Sequence, residues 1–478
     1  MAVNLWIDVE DLFEYARAKL RPSGIQRLAV EICQALQAGP DDRFRVHFVR
    51  HAPARNSFAT VPWPTVAALF AAMTAPGPAP AEAARLQGPG LEPAPARQAM
   101  RKLAHRLPPS LRAHVIDLLQ LQQQALAAGG RLLHALALGV RRTPERIRRR
   151  RGIAALAAGA GPPSAEFDSV AGPGDVVLML GAAWAHPDYA ALIQEQRSRR
   201  GLRFALLIYD LIPLRRPEWC ERGLVRVFRA WFESVFPLCD DLFAISRATA
   251  ADVERYAAER GIPLRRPVVP LPVGAGFGTQ APVLGAPAGH LPAPGSYVLL
   301  VSTIEVRKNH LLMFRVWRQM LEEMPRGRVP TLVFAGRVGW LVNDLMQQIA
   351  NTNSLDGKLV VIQSPADDEL AALYQGCLFT VFPSFFEGWG LPVTESLAFG
   401  KPCVISDRTS LPEAGGALAR SFDPDNLHDA YATIRGVIED REGLARWQDQ
   451  VRREYRPVSW SATAAALLAG LRQPPATG

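Results

Sequence analysis

From Gly174 to Asp423 the chain alternates short apolar runs with stretches of helical period, in two series separated by a Pro- and Gly-rich segment. The first series reads GDVVLMLGAAW, a helix in DYAALIQEQRSR, RFALLIYDLIPL, a helix in FRAWFESVFPLCD, DLFAIS, a helix in TAADVERYAAERG, and PVVPLPVG. The second reads SYVLLVST, a helix from His310 to Glu323, TLVFAG, the helix LVNDLMQQIA, KLVVIQS, the helix DDELAALYQG, FTVFPS, PCVISD and ARSFD. Apolar runs of this length joined by helices are the pattern of parallel strands buried on both faces. The expected class is therefore α/β, with two Rossmann-like domains.

The segment before this series has the same start. VNLWIDV (residues 3–9) reads as a strand, Arg21 to Gly24 as a loop, IQRLAVEICQAL as a helix and RFRVHFV as a second strand. In a doubly wound fold the loop after a first strand is a ligand loop, so Ser23 and Gly24 are candidates for an acceptor or phosphate loop; a helix N-cap explains the same pair. Asp210 and Ser246 end apolar runs, where such sheets present polar groups to the ligand crevice, and both also suit turn caps. The boundaries that follow are 1–277 for the first domain, with an Ala/Pro/Arg-rich insertion at 53–163, and 278–295 for the linker. A second domain covers 296–455, and 456–478 form a last helix and tail. Residues 76–95 are low in complexity. Residues 97–150 read as helical, with Leu103, Leu107, Leu111, Val115, Leu118 and Leu119 on one side.

At 478 residues the chain has room for two or three domains, and 49% apolar with 21% charged residues is the composition of a soluble globular protein. Five scattered cysteines without a C-x-x-C pair fit reduced thiols in a cytoplasmic protein rather than a disulfide frame or zinc site. MAVNLWIDVEDLF carries acids where a signal peptide needs a basic start, and no run approaches the roughly 20 apolar residues of a membrane span. The net charge of +9 is local: between Arg97 and Arg151 stand 13 Lys and Arg against Asp117 and Glu145. Three readings fit that segment: a solvated helical hairpin, a basic surface in peripheral contact with anionic membrane, and nucleic-acid binding. The last lacks interleaved aromatic residues for base stacking, and no nucleic-acid partner is expected.

The stretch richest in chemistry is FPSFFEGWGLPVTESLAFG, residues 382–400. It reads as a strand end, a turn with Glu387, Gly388, Trp389 and Gly390, and a helix from Pro392 to Phe399 closed by Gly400, with Pro in the first turn and Gly past the last. The helix N-terminus at Leu391 offers unpaired N–H groups to a phosphate. Carboxylates repel phosphate, so Glu395 suits two ribose hydroxyls and Glu387 a sugar. Arg307 and Lys308 in STIEVRKNH follow a strand and sit at the crevice edge.

EGWGLPVTE resembles the E-x7-E signature of the retaining nucleotide-sugar glycosyltransferases of family four, with PS before it and AFGKPCVISD after it. The RKN segment matches that family too, and SGIQRLAVEI resembles the first loop and helix of a branch that assembles bacterial surface polysaccharides. The resemblance implies the GT-B fold, a nucleotide-sugar donor (GDP-mannose from the branch resemblance, with a UDP-sugar or dTDP-rhamnose behind it) and a saccharide or lipid-linked acceptor. It also implies front-face retention, with the leaving phosphate taking the acceptor proton. Glu387, Arg307, Lys308 and Asp210 are then the catalytic candidates. Glu395, Gly388, Trp389, Gly390, Leu391, Ser302 and Gly336 are the donor-binding ones. Many members carry a His where this chain has Tyr209 or Arg216, and His186 is a candidate substitute. Asp423-Pro424-Asp425 is the one Asp-x-Asp match of a metal-dependent transferase, but it reads as an N-cap with Pro in the first turn. No metal and no cofactor are expected. A non-catalytic scaffold and a UDP-sugar epimerase of the same fold are the rival readings. An oxidoreductase is disfavoured because no G-x-G-x-x-G follows a strand.

Overall fold

The computed structural model describes residues 2–18, 21–39, 41–75, 150–157, 166–186, 188–275 and 291–471. Most of the expected insertion, including residues 97–149 of the basic segment and of the helix expected over 97–150, and most of the expected linker lie outside the described residues.

Strands β1 (Val3–Asp8), β2 (Phe44–Ala52), β3 (Ser57–Val61), β4 (Val176–Met179), β5 (Arg203–Ile208), β6 (Asp241–Ala244) and β7 (Val269–Pro270) form one sheet in the order 3-2-1-4-5-6-7. All pairs are parallel except β2 with β3. The second sheet, β8 (Tyr297–Val301), β9 (Thr331–Ala335), β10 (Leu359–Ile362), β11 (Thr380–Phe382), β12 (Cys403–Ser406) and β13 (Ala419–Phe422), runs 10-9-8-11-12-13 and is parallel throughout. Both orders reverse next to the first strand of the sheet, and a crevice opens at that switch point beyond the strand C-termini. Two such domains facing each other make the GT-B fold.

Each sheet is buried on both faces, which is why the strands read as unbroken apolar runs. Val176 to Met179 and Leu299 to Leu300 are all at most 2% exposed. Helices bounded by caps complete each layer, among them His310–Glu323 after Asn309 and Leu391–Ala398 after Gly390.

Two expectations need correction. The first domain does not break at residue 53: Ser57–Val61 pairs antiparallel with β2, from Phe48 opposite Val61 to Ala52 opposite Ser57. The helix Trp63–Thr74 then buries Val66, Leu69 and Met73 in the same core. A hairpin flanked by Pro53 and Pro62 reads locally as a break, whereas sheet pairing and burial of Phe58 hold it. PVVPLPVG, expected as a full strand, contributes only Val269–Pro270, since proline has no N–H to give the ladder.

The final helix, Trp460–Leu471, returns to the first domain. Ala464, Leu467, Leu468 and Leu471 join the core around β1 and β6, and Thr463 Oγ1 donates to the Pro272 carbonyl at 2.7 Å. Among the described residues no helix is long and apolar enough to cross a membrane.

Candidate active site

The turn after β11 brings Glu387 under the loop after β8. Lys308 Nζ donates to Glu387 Oε1 at 2.6 Å, and Arg307 Nη1 lies 2.9 Å from Oε2. Burial alone would push this carboxyl up; the two cations outweigh it and hold Glu387 down at about 2. Arg307 is anchored by donating to the Phe386 carbonyl at 2.7 Å and to Glu305 Oε1 at 2.6 Å. Lys308 is pulled below the usual lysine range by burial and by Arg307, against the attraction of Glu387. Glu305, two residues before Arg307, is a site residue that sequence reasoning missed, although it stands in the same motif.

Close approach of backbone sets the turn. A Cβ on Gly388 would lie 2.0 Å from the Tyr209 carbonyl oxygen, in the opposite domain. Gly390 has φ +108° and caps the helix Leu391–Ala398, with Pro392 in its first turn. Ser410 Oγ donates toward the carbonyls of Glu387 and Trp389, both at 2.9 Å, and the Glu387 N–H donates to Thr409 Oγ1 at 3.0 Å. Trp389 packs against the cores of both domains. Glu395, inside the helix, accepts from Tyr374 OH at 2.7 Å, and burial raises its pKa. Tyr374 comes from the helix Asp367–Gly376 and carried no signal in the sequence.

At the end of β8, Ser302 Oγ lies 3.3 Å from His310 Nε2. Burial takes His310 down to about 3, so the imidazole is neutral. Gly336 has φ +156°, and a Cβ there would fall 1.9 Å from the Ser302 carbonyl oxygen. These two candidates thus meet just past the C-terminal ends of β8 and β9.

The first domain supplies the facing wall. Asp210 accepts from the Ile212 N–H at 3.0 Å; burial raises its pKa, with Arg307 the strongest opposing charge. Ser246 caps its helix by accepting from Thr249 N–H at 2.9 Å, and Thr249 Oγ1 reaches the Gly388 carbonyl at 3.2 Å. Ser23 is an N-cap whose N–H donates to Gln26 Oε1 at 3.1 Å, so the helix-cap reading of this pair holds. Gly24 also abuts the helix Leu391–Ala398 of the second domain: a Cβ there would lie 3.6 Å from Leu391 Cδ1. Further contacts cross the cleft: Trp219 stacks on Phe385 at 5.6 Å, Trp340 Nε1 donates to the Trp219 carbonyl at 2.7 Å, and Arg27 pairs with Asp367 at 3.0 Å.

His186 sits elsewhere in the first domain. Its ring stands edge-on to His51 at 4.4 Å, and His51 Nε2 lies 2.8 Å from Asp8 Oδ2, which also accepts from Tyr189 OH at 3.0 Å. Its charged neighbours are His51, Asp8, Asp188 and Glu10, not the Glu387 cluster. Asp423 and Asp425 are both engaged by Arg408, at 2.6 and 3.2 Å, and Asp423 Oδ1 accepts the Asp425 N–H. The pair therefore forms a turn.

Residues 289–454, which contain Arg307, Lys308, Glu387 and Glu395, match the model of the family described as glycosyl transferases group 1. This chain carries a glycosyl transferases group 1 domain. The chain also resembles curated proteins. The chain is 30% identical over 303 residues to the serotype-specific mannosyltransferase WbdA of Escherichia coli, covering 60% of this chain and 35% of that protein. It is 33% identical over 144 residues to the O-antigen chain mannosyltransferase B of Escherichia coli, covering 30% and 37%. The matches thus span about a third of the length of these relatives. Among solved structures, sucrose-phosphate synthase from Thermosynechococcus elongatus is similar over 62% of this chain and 73% of that one, at 17% identity and a TM-score of 0.46.

Proposed function

We propose that this chain is a retaining, metal-independent hexosyltransferase that works in the cytoplasm. It moves a sugar from a nucleotide-sugar donor, GDP-mannose in the first instance, to a saccharide or lipid-linked glycan in surface-polysaccharide assembly. The observation that carries the reading is the clasp of Glu387 between Arg307 and Lys308, beside a helix N-terminus and with Glu395 on that same helix. The helix N-terminus and the two cations suit a diphosphate, and Glu395 suits the ribose. The choice of mannose rests on the names of the two Escherichia coli relatives.

In the proposed reaction the bond between the anomeric carbon and the diphosphate oxygen breaks, and charge builds on that oxygen. Arg307, Lys308 and the N–H groups near Leu391 stabilise it, and each such contact is worth about 3 kcal/mol of barrier. The acceptor hydroxyl bonds to the anomeric carbon on the same face, and its proton passes to the departing phosphate oxygen. Glu387, fully ionised, steadies the positive charge on the sugar. The Arg408 contacts of Asp423 and Asp425 leave the Asp-x-Asp match a structural role, which supports metal independence.

A thermal-shift panel of GDP, UDP, dTDP and ADP with EDTA, on wild type and Glu395→Ala, tests the reading. A nucleotide at about 100 times its Kd adds roughly 2.7 kcal/mol of stability. One nucleotide should stabilise wild type and lose its effect in the variant. No shift with any of the four would leave the scaffold reading in place.

A further inference from the structure

A partly open cavity of about 30 Å³ lies in the first domain next to the reaction centre. Its walls include Trp184, Tyr209, Asp210, Phe228, Trp231 and Phe232. The rings form one aromatic cluster: Trp184 packs edge-on to Phe228 at 5.3 Å and to Trp231 at 6.0 Å. Trp231 is only 8% exposed, and its Nε1 is buried with no hydrogen-bond partner among the described residues. A buried N–H left unpaired is costly, so an oxygen that pairs with it is strongly favoured there. Asp210 spends Oδ1 on the Ile212 N–H, which leaves Oδ2 for a ligand. Its Cβ is 3.2 Å from where a Cβ on Gly388 would stand, which places the cavity against the Glu387 turn.

These features select one kind of group. The volume is too small for a pyranose ring and sufficient for a single exocyclic substituent or a water. Aromatic walls favour a CH2, the free indole N–H needs an oxygen acceptor, and the Asp210 carboxylate needs a hydroxyl donor. A hydroxymethyl group meets all three demands. We infer that this cavity is a subsite for the exocyclic hydroxymethyl of the acceptor sugar, with Trp231 Nε1 donating to its oxygen and Asp210 accepting its proton as a hydrogen bond. The assignment to the acceptor follows from the walls, which come entirely from the domain opposite the nucleotide helix, and it rests on the transferase reading above.

The test uses the full chain with GDP and two probes, methyl α-D-mannopyranoside and its 6-deoxy analogue, followed by saturation-transfer NMR on wild type and Trp231→Phe, which keeps the ring and removes the N–H. Wild type should bind the parent sugar about 10- to 100-fold more tightly than the deoxy analogue, the worth of two buried hydrogen bonds. Trp231→Phe should cut that preference about tenfold, leaving the part due to Asp210, with its GDP thermal shift unchanged. Equal binding of both sugars to wild type overturns the subsite, as does an equal loss for both in the variant, which would mark Trp231 as packing around a buried water. Absence of sugar binding in wild type with an intact GDP shift also overturns the subsite and leaves the transferase reading standing. Absence of any nucleotide shift removes the transferase reading itself, and the subsite with it.

Discussion

Lys308 Nζ and Glu387 Oε1 meet at 2.6 Å with both side chains nearly buried, and Arg307 holds the carboxylate's other oxygen at 2.9 Å. Glu387 thus bridges two adjacent cations inside the crevice, while Arg307 is shared with Glu305 at 2.6 Å.

Glu387→Gln keeps the shape and deletes the charge. Leaving Lys308 without its counter-charge and Arg307 with Glu305 alone costs about 3 kcal/mol of stability in the free protein. A nucleoside diphosphate replaces the missing negative charge, so its thermal shift on the variant should exceed that on wild type. Turnover should fall by about 10² to 10³, the scale of losing an electrostatic contact to a transition state. An equal shift in both proteins would refute the charge-balance account.

Tyr374→Phe removes the hydroxyl that donates to Glu395 Oε2 and keeps the ring, which stacks on Phe399 at 5.2 Å. Glu395 then loses its fixed rotamer. Nucleotide affinity should drop about tenfold, or ~1.4 kcal/mol, with little change in Tm, as calorimetric titration with the cognate nucleotide would show.

Gly388→Ala drives a methyl group into the Tyr209 carbonyl oxygen, a backbone atom that cannot swing aside. Each domain keeps its own core, so the variant should fold and bind nucleotide. Closure of the cleft is blocked, and turnover should fall at least 100-fold by the loss of alignment. A Gly388→Ala enzyme with normal kcat would show that the domains never meet here during reaction.

Much of this was legible in the residues. The helix His310–Glu323 and the turn around Glu387 were readable because apolar period, Gly390 and Pro392 are local signals. Arg307 and Lys308 could be placed at the crevice because they follow a buried strand. What escaped is long-range. Ser57–Val61 looks like a break until its pairing with β2 is known. Tyr374 is 21 positions from Glu395, and the Tyr209 carbonyl belongs to another domain than Gly388. No window of sequence contains such pairs. His186, named as a candidate substitute for the histidine that many family members carry, lies in a cluster with His51 and Asp8 that packing creates.

That cluster sets a pH dependence. Burial opposes the charge on both partners, yet their mutual attraction holds Asp8 below and His51 above its ordinary value. Asp8 contributes stability above its unfolded pKa of about 4, lost as pH falls through the lower folded value. His51 contributes fully below about 6.5, lost as pH rises through its raised folded value. Their joint contribution therefore peaks between about pH 4 and 6.5. The Tm difference between wild type and Asp8→Asn, scanned from about pH 3 to 9, should be largest in that window and shrink on both sides. A flat difference would contradict the pairing.

Asp423→Asn should lower Tm slightly through its Arg408 contact, a partly exposed pair worth about 1 kcal/mol or less. Transfer activity in EDTA should be unchanged in wild type and variant alike. Restoration of activity by added magnesium or manganese would overturn the metal-independent reading.

The helix Trp460–Leu471 has a further consequence, for the order in which the chain can fold during synthesis. Leu467, Leu468 and Leu471 fill the core of the first domain, so that core lacks a wall until synthesis has passed residue 471. At about 5 to 20 residues per second, the roughly 200 residues between β7 and that helix take about 10 to 40 s to translate. Over that interval the nascent chain exposes an apolar groove against the helix Gly24–Ala38 and β6, and a chaperone acting on it would find its binding surface there.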